Sequence, residues 1–244
     1  TYHLLLKAEA LHEAEKRRLV EQRRADELRA RNTLIFALAK LAESRDSDTG
    51  EHLERIEAYC RVLAEELRAT RRDLADEWIR NLQLASSLHD IGKVGIPDGV
   101  LLKAGRLTPE ERAIIEKHPT IGADALDAIL ARARGDDLLL MARNIAAAHH
   151  EHWDGRGYPG GLRGGDIPLE ARIVAVADVY DALTSRRVYK PPMPHEEAMR
   201  IICDASGTQF DPEIVAALRR SEVVFRQAGL LLHAEEDPAA PATV

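Results

Sequence analysis

Only two cysteines, Cys60 and Cys203, occur in the 244 residues. They lie far apart and lack the spacing of a thiolate metal site, so they read as free thiols in a reducing, cytoplasmic compartment. Aromatic residues make up 4% of the chain, too few for a sheet-rich core. Positive charge is also short: the formal net charge is −7, which excludes a global basic field that would recruit a nucleic-acid polymer. An anionic substrate would need local positive charge, from metal ions or a few Lys and Arg. No apolar run approaches the roughly 20 residues of a membrane-spanning helix, and no signal peptide is visible. The chain opens on Thr1 rather than Met, so the expectation is a piece of a longer protein whose upstream part is absent.

What is plentiful is Ala, Leu, Glu and Arg, the residues of helices, within a hydrophobic content of 45%. An all-α protein is expected. Residues 1–42 are nearly free of Gly and Pro and should form one long helix. Leu4, Leu11, Ala14, Ala25, Leu28 and Ile35 share a heptad seam that Arg18, Glu21 and Asn32 interrupt, a pattern open to either a coiled coil or a solvated charged helix. Residues 43–220 form the main domain. Across it, and including the end of the long helix, patterning predicts helices near 33–45, 51–69, 73–89, 109–117, 119–132, 137–149, 170–186, 194–204 and 211–219. Thr108-Pro-Glu-Glu supplies a capping box with Pro at the first helical position, and Asp211-Pro-Glu a similar start. The stretch EHWDGRGYPGGLRGGDIP, with six glycines between Glu151 and Pro168, is predicted as a shaped loop. Residues 221–244 are expected to be a tail, in part disordered.

The chemistry is concentrated in histidine and aspartate. His89-Asp90 ends an apolar helical run just before Gly92, which sets two ligands suited to Fe, Mn or Zn at a helix-to-loop corner. His149-His150 closes another apolar run, MARNIAAAHH, before the glycine-rich loop. Asp178 lies in ARIVAVADVYDAL, where a carboxylate is costly unless a cation or hydrogen bonds satisfy it. His118 in KHPTIG and His52 in DTGEHLER complete the set. A lone histidine is more often a core or surface residue, but this many His and Asp groups spread over five helices point to a metal centre.

The motifs HDIGKVGIPD, HHEHWDGRGYPGG, IPLEARIVAVADVYDALTSRRVYK and GTQFDPEIV, in this order over about residues 43–219, resemble the HD-GYP family. These are cyclic di-GMP phosphodiesterases within the HD-domain metal-dependent phosphohydrolases, and Gly157-Tyr158-Pro159 is the signature tripeptide. The resemblance implies an HD-domain helical bundle. It implies that His52, His89, Asp90, His118, His149, His150 and Asp178 ligate two divalent ions, with Asp90 shared between them. Fe or Mn are the expected ions, with Zn, Ni or Co as alternatives. Lys93 matches the lysine on the scissile phosphate, Tyr158 the loop residue beside the substrate, and Arg187 and Lys190 positions that hold phosphates or bases.

Where the family has a glutamate four residues before the first histidine, this chain has Asp48, one methylene shorter. Two ions are therefore expected, with Asp48 the candidate ligand of any third. Val188 and Ala104 replace prolines common in the family, with no consequence expected for the chemistry. The implied activity is hydrolysis of cyclic di-GMP to pGpG, and onward to GMP. The competing readings are another cyclic dinucleotide, such as cyclic GMP-AMP, or a signalling module that binds without turnover. The implied partners are the cyclic dinucleotide, a second copy joined through the N-terminal helix, and a regulatory domain upstream.

Overall fold

The computed structural model describes residues 2–45, 51–133, 135–185 and 192–236, with the side chains of 3–10 and 231–236 outside that description. The chain divides into two compact units, Thr1–Leu38 and Ala39–Val244. Helix α1 (Tyr2–Glu43) supplies the first unit and opens the second. Residues 11–34 are all exposed. Short-range ion pairs line this stretch, such as Arg29–Asp26 at 2.6 Å, while Leu11, Val20 and Leu34 stay largely uncovered. A helix this polar on every side buries little within its own unit.

The second unit is built around α2 (His52–Leu67). Its buried residues Ile56, Tyr59, Cys60, Leu63, Ala64 and Leu67 recur at helical spacing along one face. Each fully buried Leu or Ile contributes roughly 1.5–3 kcal/mol. Against α2 pack α3 (Asp76–Ser86), α8 (Leu169–Thr184), α10 (Pro212–Arg220) and α11 (Glu222–Glu236). A second layer forms where α6 (His118–Leu130) lies on α7 (Asp137–Ala148), which in turn packs on α3 and α8. The remaining helices are α4 (Asp98–Leu101), α5 (Pro109–Ile115) and α9 (His195–Asp204), and a short 3-10 turn covers Ile91–Gly95. Among the described residues there is no sheet, only an isolated bridge between Ser206 and Phe210. Nor is any described helix long and apolar enough to cross a membrane.

The start signals work as expected. The Thr108 side chain accepts from the Glu111 amide while Glu111 reaches back to the Thr108 amide at 2.8 Å, which caps α5. Asp211 caps α10 through the Glu213 amide. Helix α8 is rich in β-branched residues, poor helix formers in isolation, yet Ile173, Val174 and Val176 are fully buried; packing outweighs propensity there.

One expectation fails. Residues 222–236 are not a tail but helix α11. Phe225 is fully buried, with its ring stacked on Tyr59 at 4.5 Å. Gly229 lets the helix close on that ring, since a Cβ there would stand 2.5 Å from the Tyr59 hydroxyl. An aromatic anchor and a glycine are enough to dock a segment whose far end has the composition of a tail.

Gly92 sets how closely the 3-10 turn approaches α6. A Cβ at this position would lie 2.0 Å from the His118 carbonyl oxygen and 2.5 Å from the Gly122 amide nitrogen. Both are backbone atoms and cannot swing aside. Gly92→Ala should therefore cost about 1–3 kcal/mol or more through overpacking and displace the start of α6 from the turn. Thermal denaturation of the variant, together with its metal content, checks this; an unchanged midpoint and unchanged metal would show that the contact is not tight.

Candidate metal centre

Almost every expected site residue stands at a helix end. His52 opens α2, His118 opens α6, His89 and Asp90 follow α3, and His149 and His150 follow α7; Asp178 alone projects from mid-helix, on α8. The fold brings all seven together as two groups. Asp90, His118, His149 and His150 form one, and His52, His89 and Asp178 the other, with candidate ligand atoms in each group within 4.8 Å of one another.

Asp90 joins the groups. Its Oδ1 faces His118 Nε2 at 3.1 Å and His149 Nε2 at 3.6 Å. Its Oδ2 lies 3.3 Å from His89 Nε2 and 2.8 Å from Lys93 Nζ. Asp178 approaches His89 Nε2 to 4.0 Å from the other side.

The hydrogen bonds around the site fix which imidazole nitrogen faces inward. Nδ1 of His89, His118 and His149 lies 2.8, 2.7 and 3.0 Å from the carbonyl oxygens of Ser86, Ile115 and Ile145. A carbonyl only accepts, so Nδ1 donates, and in the neutral ring Nε2 presents a lone pair to the site. His52 is held differently. Its Nδ1 pairs at 2.7 Å with Asp181 Oδ2, and the same buried carboxylate takes Arg55 Nε at 2.6 Å. Such outer carboxylates orient and strengthen ligand imidazoles.

Several physical features of the pocket suit a cation. His89 Nε2 and Asp90 Oδ1 are buried with no hydrogen-bond partner of good geometry. The Nε2 atoms of His118 and His149 face each other at 3.4 Å, which is unfavourable for two lone pairs unless an ion sits against both. Burial opposes a charge on His89, yet the Asp90 and Asp178 carboxylates override it and lift the imidazole to about 9. Burial likewise disfavours the charged carboxylate of Asp90, but Lys93 and His89 hold it well below the usual range. His150 is pushed down, first by burial and then by neighbouring His149, and so stays neutral, the ligand form. The donor set of imidazoles and carboxylates suits borderline to hard divalent ions.

Sequence reasoning missed three acidic residues that the fold places at or behind the site. Glu43, the last residue of α1, lies 3.6 Å from His52 Nε2, and burial raises its carboxyl above the ordinary value. An acidic side chain in the last turn of a helix opposes the dipole, and that was the available signal. Asp181 is the brace of His52 already described. Glu151 is buried and accepts from the amides of Gly160 and Leu162 at 2.6 and 3.0 Å, which closes the glycine-rich loop on itself. Asp48, Arg187 and Lys190 lie outside the described residues.

The loop is tied from a second side. Trp153 and Asp154 amides donate to the carbonyls of Gln209 and Thr208, so the GTQFDPEIV segment braces the loop from behind. Arg172, ion-paired with buried Asp211, lies over the Trp153 ring at 5.6 Å. Gly157 cannot carry a side chain, because its Cβ would stand 2.3 Å from the His152 amide nitrogen. Tyr158, beside it, stacks on His150 at 4.7 Å and remains half-buried. Its phenol is raised, chiefly by burial, and stays protonated.

The HD domain family model matches residues 37–214, and the chain belongs to that family. Within it the chain falls in the HD-GYP branch. It is 49% identical over 199 residues to a cyclic di-GMP phosphodiesterase of Vibrio cholerae, a match covering 80% of this chain and 40% of that protein. A 3'3'-cGAMP-specific phosphodiesterase of the same organism is 41% identical, over 76% of this chain and 34% of that protein. Among solved structures, a cyclic GMP-AMP specific phosphodiesterase of Vibrio cholerae shares the fold, with a TM-score of 0.57 at 21% identity, covering 82% of this chain and 50% of the other. The chain spans about half the length of the curated relatives it matches, or less.

The Asp181 brace yields a test. Asp181→Asn takes a buried counter-charge away from Arg55, which should cost about 3–5 kcal/mol. It should also lower metal affinity about 10–100-fold by releasing His52. Denaturation of the metal-free protein and a metal titration of the folded fraction measure the two effects separately; full stability with unchanged affinity would mean that the brace is inert.

Proposed function

We propose that this domain is a metal-dependent phosphodiesterase that opens cyclic di-GMP to linear pGpG, with GMP as the further product to be sought in the same assay. The observation that carries the proposal is the single carboxylate, Asp90, facing two groups of imidazoles, with Lys93 on its outer side and Tyr158 on the wall. The named relatives, at up to 49% identity, support the same chemistry.

In this reading His52, His89 and Asp178 hold one ion, His118, His149 and His150 the other, and Asp90 both. Glu43 stands beside the first group, where the role expected of Asp48 would fall. Fe or Mn are the ions proposed. Bound dications supply Lewis acidity toward phosphoryl oxygens and lower the pKa of water. The chain does the rest. Lys93 places a positive charge where negative charge accumulates on the scissile phosphate. The histidines, fixed by carbonyls and Asp181, keep their Nε2 lone pairs aimed without reorganisation. Tyr158 offers a protonated, rigid ring against which a base can lie, with the loop behind it locked by Glu151. Arg187 and Lys190 are retained as proposed phosphate or base contacts.

A second substrate is supported by a specific finding, the 41% identical relative named for 3'3'-cGAMP. Metal-loaded protein given both dinucleotides discriminates the two by product analysis. Asp90→Ala should lose both ions and fall to background cleavage of either; retained metal and turnover in that variant would falsify the shared-ligand centre.

The wider protein is proposed to be a cytoplasmic homodimer whose catalytic domain follows a regulatory one. Support comes from α1, whose exposed seam residues Leu11 and Leu28 find no cover within their own unit and fit a polar-interrupted pairing seam that is not too stable. Removing residues 1–30 should convert a dimer to a monomer and alter turnover without emptying the metal centre. Light scattering of both forms decides this, and a monomer with the helix intact would reduce α1 to a spacer.

A further inference from the structure

We infer that Arg45, two residues beyond α1, is a positioning residue for Lys93: it clamps the turn that carries the lysine without touching metal ligands or substrate. The inference rests on the phosphodiesterase reading and deepens it.

Lys93 sits in the 3-10 turn Ile91–Gly95, where little backbone bonding fixes the chain. The Lys93 amide donates to the Asp90 carbonyl at 2.9 Å and the Ile96 amide to the Lys93 carbonyl at 3.0 Å. A short 3-10 turn leaves its last carbonyls without helical partners. Arg45 takes them. Its Nη1 donates to the Val94 carbonyl oxygen at 2.5 Å, and its Nη2 to the Ile96 carbonyl oxygen at 3.4 Å and to Asp98 Oδ1 at 2.5 Å. One planar guanidinium thus spans three acceptors on both sides of Gly95. On the opposite side the turn is pressed against α6 at Gly92, where no Cβ fits.

The backbone of residues 92–96 is thus braced from two sides, by α6 and by Arg45, and from it the Lys93 ammonium reaches Asp90 Oδ2 at 2.8 Å. A lysine at position 45 would keep the charge but could not bridge three acceptors, because its donors radiate from a single point rather than a flat fork. The guanidinium is about one-third exposed, so it is placed without a large desolvation cost.

The test is a double-mutant cycle in the full chain, using wild type, Arg45→Ala, Lys93→Ala and the double variant, all loaded with Mn. Turnover is read on cyclic di-GMP and on bis(p-nitrophenyl) phosphate, a generic diester. Arg45→Ala should lower kcat roughly 10–100-fold, the size of effect expected from removing a residue that orients another, with metal content and KM near wild type. In the Lys93→Ala background the same change should cost nothing further, because the residue it positions is gone. Arg45→Lys, which keeps the charge and is expected to fold, should show most of the loss. Hydrogen exchange of the peptide spanning 91–98 should speed up in both Arg45 variants while α6 is unaffected. Losses that add in full with Lys93→Ala, wild-type kcat in Arg45→Lys, or unchanged exchange across 91–98 each overturn the role. Failure of cyclic di-GMP cleavage alone counts against the substrate reading, and the cycle on the generic diester then still decides Arg45.

Discussion

The two oxygens of Asp90 face two different groups of imidazoles, and the rest of the domain is arranged around keeping that carboxylate charged in a buried place. A carboxylate withdrawn from water is expensive unless opposite charge and hydrogen bonds meet it. Lys93 meets one oxygen directly, while Oδ1 is left without a partner of good geometry. The neutral imidazoles bring lone pairs to the same space and cannot neutralise it; only a protonated His89 shares that charge with Lys93. The pocket is therefore an electrostatic deficit, and divalent ions are what its donor set can accept. In the proposed reading stability and catalysis draw on the same atoms, since an ion that fills the deficit would also polarise a phosphate.

Helix ends make such convergence possible. Side chains at the corners of α2, α3, α6 and α7 are aimed by short turns, and the backbone carbonyls of those turns take the inward histidines' outer nitrogens. His52 is the exception, since its outer nitrogen has a carboxylate instead, and Asp181 in turn needs Arg55. That ion pair holds Asp181 down at about 2, against burial that would raise it, through the hydrogen bonds of His52 and Arg55. The glycine-rich loop follows the same logic at its own scale, with Glu151 satisfying two loop amides so that Tyr158 can stand against His150.

Part of this was legible beforehand, for reasons that differ from residue to residue. The pairs His89-Asp90 and His149-His150 stand out because apolar helical runs end on them, and Asp178 because nothing apolar explains it. Asp181, three residues later in the same run, has an identical setting. No periodicity tells a metal-facing carboxylate from one that braces a histidine; the distinction exists only once α2 lies against α8. Glu43 escaped notice because it is nine positions from His52 along the chain, and no local pattern pairs the two. Glu151 sits inside HHEHW, where the flanking histidines draw attention from it. Helix α11 was misread because Phe225 and Gly229 are weak local signals whose meaning depends on Tyr59. The helices themselves came through well, since their apolar spacing and caps are local properties. Asp48, Arg187 and Lys190 fall outside the described residues, and their roles stand as proposals.

The central claim is that one shared carboxylate and six further ligands hold two ions per chain. Metal analysis of protein purified without oxygen tests it most directly, because iron lost or oxidised in air would distort the count. The account predicts two equivalents of Fe or Mn per chain, bound tightly enough to survive gel filtration. A single equivalent at saturation, or none that survives the column, would contradict a centre built around Asp90.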